Sequence, residues 1–270
     1  NNYTNNNSVV NSTHTPTNMH SLLNPLDSGG STISNGNKTL VTTGSSDKST
    51  KATIRLPTSG KYYWESNLDV ASSASIGHVI FLTKSTQLLT TGNGSWTDTI
   101  LLNRSNSGSV KLNGTDIFTI SGTASINDKY QVAVDLDNNK MWFGINNSFF
   151  NASGGTDGNP STGANAMIAK DFAGYFPMFG NFNTQQTVRF DSADWTYTPP
   201  TGYVSLNTTT LAEATTRTKS NLEEYFSTTT YEGNGAGQRV GKFLPFTNTF
   251  TVSKGALFVN ANSEDLSRGS

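Results

Sequence analysis

Cysteine is absent from all 270 residues. The fold therefore holds no disulfide, and thiolate metal sites and thiol nucleophiles are excluded. Absence of cysteine fits folding in a reducing cytosol. Charge is scarce as well: Asp, Glu, Lys and Arg make up 14% of the chain, against about 25% in an average protein. The net charge is −1 and there is no basic run, so nucleic-acid binding by phosphate neutralisation is not expected. Apolar residues stop at 33%, and no apolar stretch approaches the roughly 20 residues of a membrane span. The opening Asn1–Ser8 has neither the basic start nor the apolar stretch of a signal peptide. It also lacks an initiator Met, which reads as a fragment or processed product of a longer chain.

Ser, Thr, Asn and Gly fill the space that charge and hydrophobicity leave. Chains of this kind are β-rich and surface-heavy, and stay soluble through neutral polar groups. Virion shell and fibre proteins and secreted adhesins share the composition.

The clearest element lies at Lys129–Asn146. Tyr130, Val132, Val134 and Leu136 alternate with Gln131, Ala133 and Asp135, which places one apolar face on a core. Asn138-Asn139 is read as a two-residue turn, since Asn tolerates the positive φ of tight hairpins. Met141, Phe143 and Ile145 form the return strand's apolar side. Further strands are expected at 38–42, 51–56, 61–68, 78–82, 99–103, 109–112, 117–120, 175–179 and 187–190, with Asn113-Gly114 as a second hairpin turn. Asn24–Ser31 reads as a turn cluster. Asn151–Ala166 reads as a long Gly/Asn loop. Helix signal is thin and confined to Leu211–Phe226. Many short strands with frequent turns mean a sandwich or barrel.

Residues 1–23 read as an extended arm, 24–203 as the β-sandwich, 204–230 as a linker, and 231–270 as a connector with the start of a second β module. The prolines of Trp195–Tyr203 close the compact part, because they cannot continue a central strand.

Several blocks resemble a known family. Ser59-Gly-Lys-Tyr-Tyr-Trp-Glu65, Ile76-Gly-His-Val-Ile80, Asp128–Asn146, Tyr175–Phe179 and Val188–Phe190 occur in the order of the strands of SPRY domains, of the kind found in tailed-phage structural proteins. The resemblance covers Asn24–Tyr203, and the flanks at Thr15–Asp27 and Tyr197–Tyr203 are similar to the lead-in and exit of such segments in marine phage proteins. Tyr231–Gly241 resembles a connector seen after them. Ala256–Arg268 resembles the first strand of a laminin-G-like, concanavalin A-like module. Thr83–Thr99 departs from the family pattern, and 151–166 looks like an insertion, so no binding residue transfers. The resemblance implies an all-β, antiparallel bent β-sandwich (a concanavalin-like jelly roll) that binds through loops at one end. It also implies a virion component.

Chemical signals weigh toward binding rather than catalysis. His14, His20 and His78 are the only histidines, the first two in the arm and the third in a strand. No Ser-His-Asp arrangement is specified around them. Asp135 and Asp137 share a strand face beside a turn, where Asp bonds its own backbone, rather than facing each other across a cleft as glycosidase carboxylates do. Asp135–Asn139 and Asp157-Gly-Asn159 supply oxygens without the spacing of a calcium loop. Gly233–Gly237 lacks the strand, Lys and helix of a phosphate loop. Trp64, Trp142 and Trp195 are expected to pack, whereas Trp96 lies in a Gly/Asn loop and is a contact candidate. The Asn-x-Ser/Thr triplets are expected by chance in this composition.

The expectation is a non-enzymatic virion structural protein: a tail fibre, spike, capsid fibre or decoration, assembled in the bacterial host's cytoplasm. Trp96, Asn93, Asp157 and Asn159 are its binding-loop candidates. Its expected partners are other virion subunits, further copies of itself, and a host glycan or protein receptor. No catalytic residue, cofactor, metal, nucleic-acid or membrane partner is assigned. The rivals are a carbohydrate-binding adhesin domain and a polysaccharide depolymerase, the latter requiring opposed acids such as Asp157 and Asp191.

Overall fold

A computed structural model describes residues 19–43, 48–71, 78–84, 98–103, 108–120, 125–181 and 183–211, and the backbone of three short strands beyond them. In chain order the strands are β1 (Leu23–Ser28), β2 (Thr32–Ser34), β3 (Thr39–Val41), β4 (Lys48–Ala52), β5 (Lys61–Ala71), β6 (His78–Thr83), β7 (Thr99–Asn103), β8 (Gly108–Leu112) and β9 (Thr115–Ile120). They continue with β10 (Lys129–Asp135), β11 (Lys140–Ile145), β12 (Ser148–Phe149), β13 (Ile168–Ala169), β14 (Phe176–Asn181) and β15 (Thr184–Arg189). The last three, β16 (Thr216–Arg217), β17 (Phe250–Ser253) and β18 (Ala256–Phe258), form a small sheet of their own. Among the described residues no helix is long and apolar enough to cross a membrane.

The architecture is the expected all-β sandwich. One sheet runs β1-β4-β14-β6-β7-β8-β9; the other runs β12-β11-β10-β5-β15-β3-β2, with β13 added on β11. Every strand pair is antiparallel. Alternation dictates which side chains meet between the sheets. Tyr62, Trp64 and Leu68 of β5 and Tyr130, Val132 and Val134 of β10 face Ile80, Leu82, Ile100, Leu102 and Phe179 in one core. Phe190 stands 5.8 Å from both Trp64 and Phe179, ring centre to ring centre, and ties the layers together.

The eight-stranded sheet is buried on its other face too. Tyr63, Ala133, Trp142, Phe149 and Tyr203 make a second cluster, joined by Ala166 and Trp195. Residues 190–205 and the 151–166 loop lie over β5, β10 and β11 and exclude water there. Gln131, Ala133 and Asp135, which alternation alone would put in solvent, are therefore buried.

Two local expectations are corrected. Asn24–Ser31 is largely the edge strand β1, not a turn cluster. A proline is tolerated there because an edge strand has one side free of ladder bonds, and Pro25 is exposed. The β10–β11 connection is four residues, Leu136–Asn139, rather than two: Asp135 pairs with Lys140, and only Asn139 of the turn has positive φ, at 55°. Asn113-Gly114 does form its two-residue turn, with φ of 52° and 80°, as a type I′ hairpin requires.

The compact unit also reaches beyond the expected limits. His20 pairs with Asn207; Met19 N donates to Thr208 Oγ1 and Thr208 N to Met19 O, both at 3.0 Å. Leu206 and Leu211 are core residues. The chain thus enters and leaves the sandwich at one place. The helix expected within Leu211–Phe226 lies outside the described residues, apart from Leu211 and the strand β16.

Candidate binding site at the loop end

The strand directions bring five connections to one end of the sandwich: 53–60, 84–98, Asn113-Gly114, 136–139 and 170–175. Tyr175 sits at their centre, its carbonyl accepting from Leu56 N at 2.8 Å. The Lys84 and Lys170 ammonium groups stand 5.1 and 5.5 Å from the centre of its ring, within cation–π range. Gly174 keeps the surface low here: a Cβ on it would lie 3.5 Å from Lys84 Cε and 3.7 Å from Arg55 Nη1. Two cations thus stand over one aromatic ring, and a third, Arg55, lies beside the neighbouring Gly174. Asp98 pairs with Lys170 at 3.5 Å, and Asp171 accepts from Ala173 N at 2.8 Å. Tyr175 and Asp98 hold the Lys170 ammonium above its ordinary value, while burial pushes the Tyr175 hydroxyl up.

Asp98, which follows the first loop singled out from the sequence, and Gly163 of the second are connected at this end through neighbouring residues. Lys84 N donates to Asp98 O at 3.0 Å, closing the stem of 85–97. Lys170 pairs with Asp98, its backbone N donates to Asn139 O, and the neighbouring Lys140 Nζ donates to Gly163 O at 2.7 Å. Trp96 and Asn93 themselves lie outside the described residues. Asp157 and Asn159 are described, and both are spent on shaping their loop. Asp157 Oδ1 accepts from Asn151 at 2.5 Å and Oδ2 from Asn165 at 3.0 Å. Asn159 pairs with Ala164 backbone to backbone, and its Oδ1 accepts from Thr162 N at 3.2 Å. Carbonyls of this loop, Ala164 O and Asn165 O, receive Trp142 Nε1. Among the described residues no three His, Cys, Asp or Glu side chains are grouped to hold a metal ion.

Sequence reasoning missed one constellation altogether. His20, Ser205 and Asp191 meet in the interior, each about 5% exposed. His20 Nδ1 lies 3.1 Å from Ser205 Oγ and Nε2 lies 3.5 Å from Asp191 Oδ2. The residue types are those of a catalytic triad, but the hydroxyl has another acceptor than the histidine. Its only proton goes to Phe190 O at 2.6 Å, and Asn207 Nδ2 also donates to it at 3.3 Å. A nucleophilic serine must instead give its proton to the histidine. The trio fastens the incoming segment to the outgoing one. Sequence separation of 185 residues between His20 and Ser205 hides such a group from any local pattern.

The buried acids are occupied likewise. Glu65 is fully buried and accepts from Thr196 N at 2.7 Å, Tyr197 N at 2.9 Å and Tyr63 Oη at 2.8 Å. Burial pushes Asp135 up, but bonds from Asn138 and Lys61 outweigh it and hold the carboxyl below the ordinary carboxylate value. Asp137 receives Gly60 N at 2.8 Å.

No family model and no curated protein matches the chain. Among solved structures it is similar to the SPRY domain of human HERC1, at 16% identity and a TM-score of 0.43, over 62% of this chain and 96% of that one. It is similar also to a second human SPRY domain, at 12% identity and a TM-score of 0.40, over 64% of this chain and 96% of that one.

Proposed function

We propose that this chain is a non-enzymatic structural protein of a tailed-phage virion, whose SPRY-type sandwich is a binding and display module. The observation that carries the binding role is the loop end: Lys84 and Lys170 over the Tyr175 ring with Arg55 beside Gly174, and Asp98 and Gly163 connected there through neighbouring residues. Lys84 and Arg55 would meet polar or acidic groups of a host glycan or protein receptor, and Trp96, in the chain between Lys84 and Asp98, would add an aromatic contact. Met19 and Thr208 are bonded to each other, so the chain enters and leaves the sandwich at one place, which suits a knob carried on a fibre, spike or capsid; the segments beyond would contact other virion subunits or further copies. Enzymatic readings are disfavoured by how the polar groups are spent. A depolymerase needs two carboxylates across a groove, about 5–10 Å apart, whereas Asp157 is held by Asn151 and Asn165 of its own loop and Asp191 is bonded to Ala193 N and paired with His20.

The test is mass spectrometry and cryo-EM of particles purified from an infected host. Stoichiometric chain with its loop end outward supports the virion reading; a chain absent from particles overturns it. Glycan-array binding by the free, monomeric chain, abolished in Lys84→Glu, would then favour the adhesin alternative.

A further inference from the structure

A second cluster, on the outer face of the eight-stranded sheet, carries chemistry that display does not use. Antiparallel register sets Lys129 of β10 beside Asn67 of β5, with Thr187 of β15 on the other side of Asn67. Side chains directly opposite on one sheet face are close enough to react or bond. Lys129 Nζ donates to Asn67 Oδ1 and, at 2.8 Å, to Asn127 O. Asn67 Nδ2 donates to Asp69 Oδ1. Thr187 Oγ1 donates to Asp69 Oδ2 at 2.6 Å, and the Thr39 hydroxyl meets that of Thr187 at 3.0 Å. Asn67 is 5% exposed. An amine thus lies on the acyl side of a shielded carboxamide, and a carboxylate lies on its nitrogen. No carboxylate pairs with Lys129 among the described residues.

We infer that Lys129 and Asn67 join in an intramolecular isopeptide bond, with Asp69 as the proton carrier. The Lys129 free amine attacks Asn67 Cγ; the Nζ–Cγ bond forms and the Cγ–Nδ2 bond breaks. Asp69 takes a proton from the attacking nitrogen and delivers one to Nδ2, which leaves as ammonia. Amine plus carboxamide gives secondary amide plus ammonia, so nothing is oxidised or reduced and no co-reactant enters. Amines and amides do not combine at useful rates in water, but fixed geometry supplies effective molarities of about 10⁵–10⁸ M, and the paired backbones of β5 and β10 fix it here. The bond would close 62 residues of chain, spanning β6 to β9, and give a cysteine-free sandwich the restraint that disulfides give elsewhere.

Intact-mass spectrometry of the full chain, followed by peptide mapping, tests this. The expected result is a mass one ammonia below that of the sequence, with a branched peptide joining Lys129 to Asn67. Lys129→Arg keeps the charge and can keep both hydrogen bonds, so it should fold and show the full mass; Asp69→Asn should cross-link far more slowly. A full-length mass in aged wild-type protein would overturn the inference. So would an ammonia loss that persists in Lys129→Arg, because that marks a succinimide at one of the Asn-Gly pairs 35–36, 93–94, 113–114 or 234–235.

Discussion

Replacing Glu65 with glutamine keeps the shape of a fully buried side chain and removes its charge. The carboxylate oxygens now accept from two consecutive backbone N–H groups, those of Thr196 and Tyr197, and from the Tyr63 hydroxyl. Glutamine offers one oxygen and one NH₂, so one of these donors must face another donor. A hydrogen bond to a charged group is worth about 1.5–3 kcal/mol, and a buried N–H left unmet costs about 1–3 kcal/mol. Because the two figures describe overlapping parts of one event, the expected loss is about 2–4 kcal/mol. At about 2–4 °C per kcal/mol for a domain of 150–250 residues, the melting temperature should fall by roughly 4–16 °C. Urea unfolding followed by tryptophan fluorescence is the assay. Trp195 stands edge-on to Tyr63, 4.9 Å between ring centres, so release of the covering segment reports directly. Glu65→Ala leaves all three donors unmet and should lose more. A Glu65→Gln midpoint equivalent to less than about 0.5 kcal/mol of change, the range of ordinary surface substitutions, would refute the view that this carboxylate holds residues 190–205 in place.

The His20 fastening predicts a pH dependence. Burial lowers His20 below its ordinary value of 6.5; Asp191 opposes this, Lys38 adds to the lowering and Asp194 opposes it. The unfolded chain therefore takes up the proton first as pH falls, so this contribution is complete above the ordinary value and is lost on acidification below it. Urea midpoints at pH 7.5 and 5.5 should separate more for wild type than for His20→Gln, and equal separations would count against the assignment. Gly158→Ala should also destabilise, because a Cβ there would lie 2.6 Å from Phe150 O and 2.9 Å from Phe149 O, both backbone atoms. Backbone cannot swing aside as a side chain can, and overpacking of this kind costs about 1–3 kcal/mol; calorimetry showing an unchanged melting temperature would contradict the close approach.

What the sequence displayed clearly was period-two alternation. Tyr130, Val132 and Val134 face the core as their spacing demands, and Trp64, Trp142 and Trp195 pack as expected. Strand positions were legible wherever a strand carries its own apolar face, and β7 falls on the expected residues. Alternation gave no sign of a second covered face. Gln131 and Asp135 look like solvent positions in a hairpin read by itself, and are buried only because segments 190–205 and 151–166 return over them. Edge strands such as β1 were illegible for the related reason that their pairing with β4 supplies the order that their own residues lack.

The same physics explains why the candidate sites were the least legible part. A carboxylate or imidazole is defined by what surrounds it, and here the surroundings come from remote chain. Asp157 was nominated as a binding-loop residue, and both its oxygens are claimed within its own loop by Asn151 and Asn165. Ser205, His20 and Asp191 meet only because the chain leaves the sandwich where it enters. The cations at Tyr175 come from three separate connections, so no motif announces them; in sequence Lys84 and Lys170 are merely lysines that flank loops. The buried carboxylates and the imidazole are met by other parts of the fold, and that argues for reading Glu65, Asp135 and the His20 trio as fasteners. Lys84, exposed and without an acidic partner among the described residues, differs from them all, and it stands at the loop end where an outside partner can reach it.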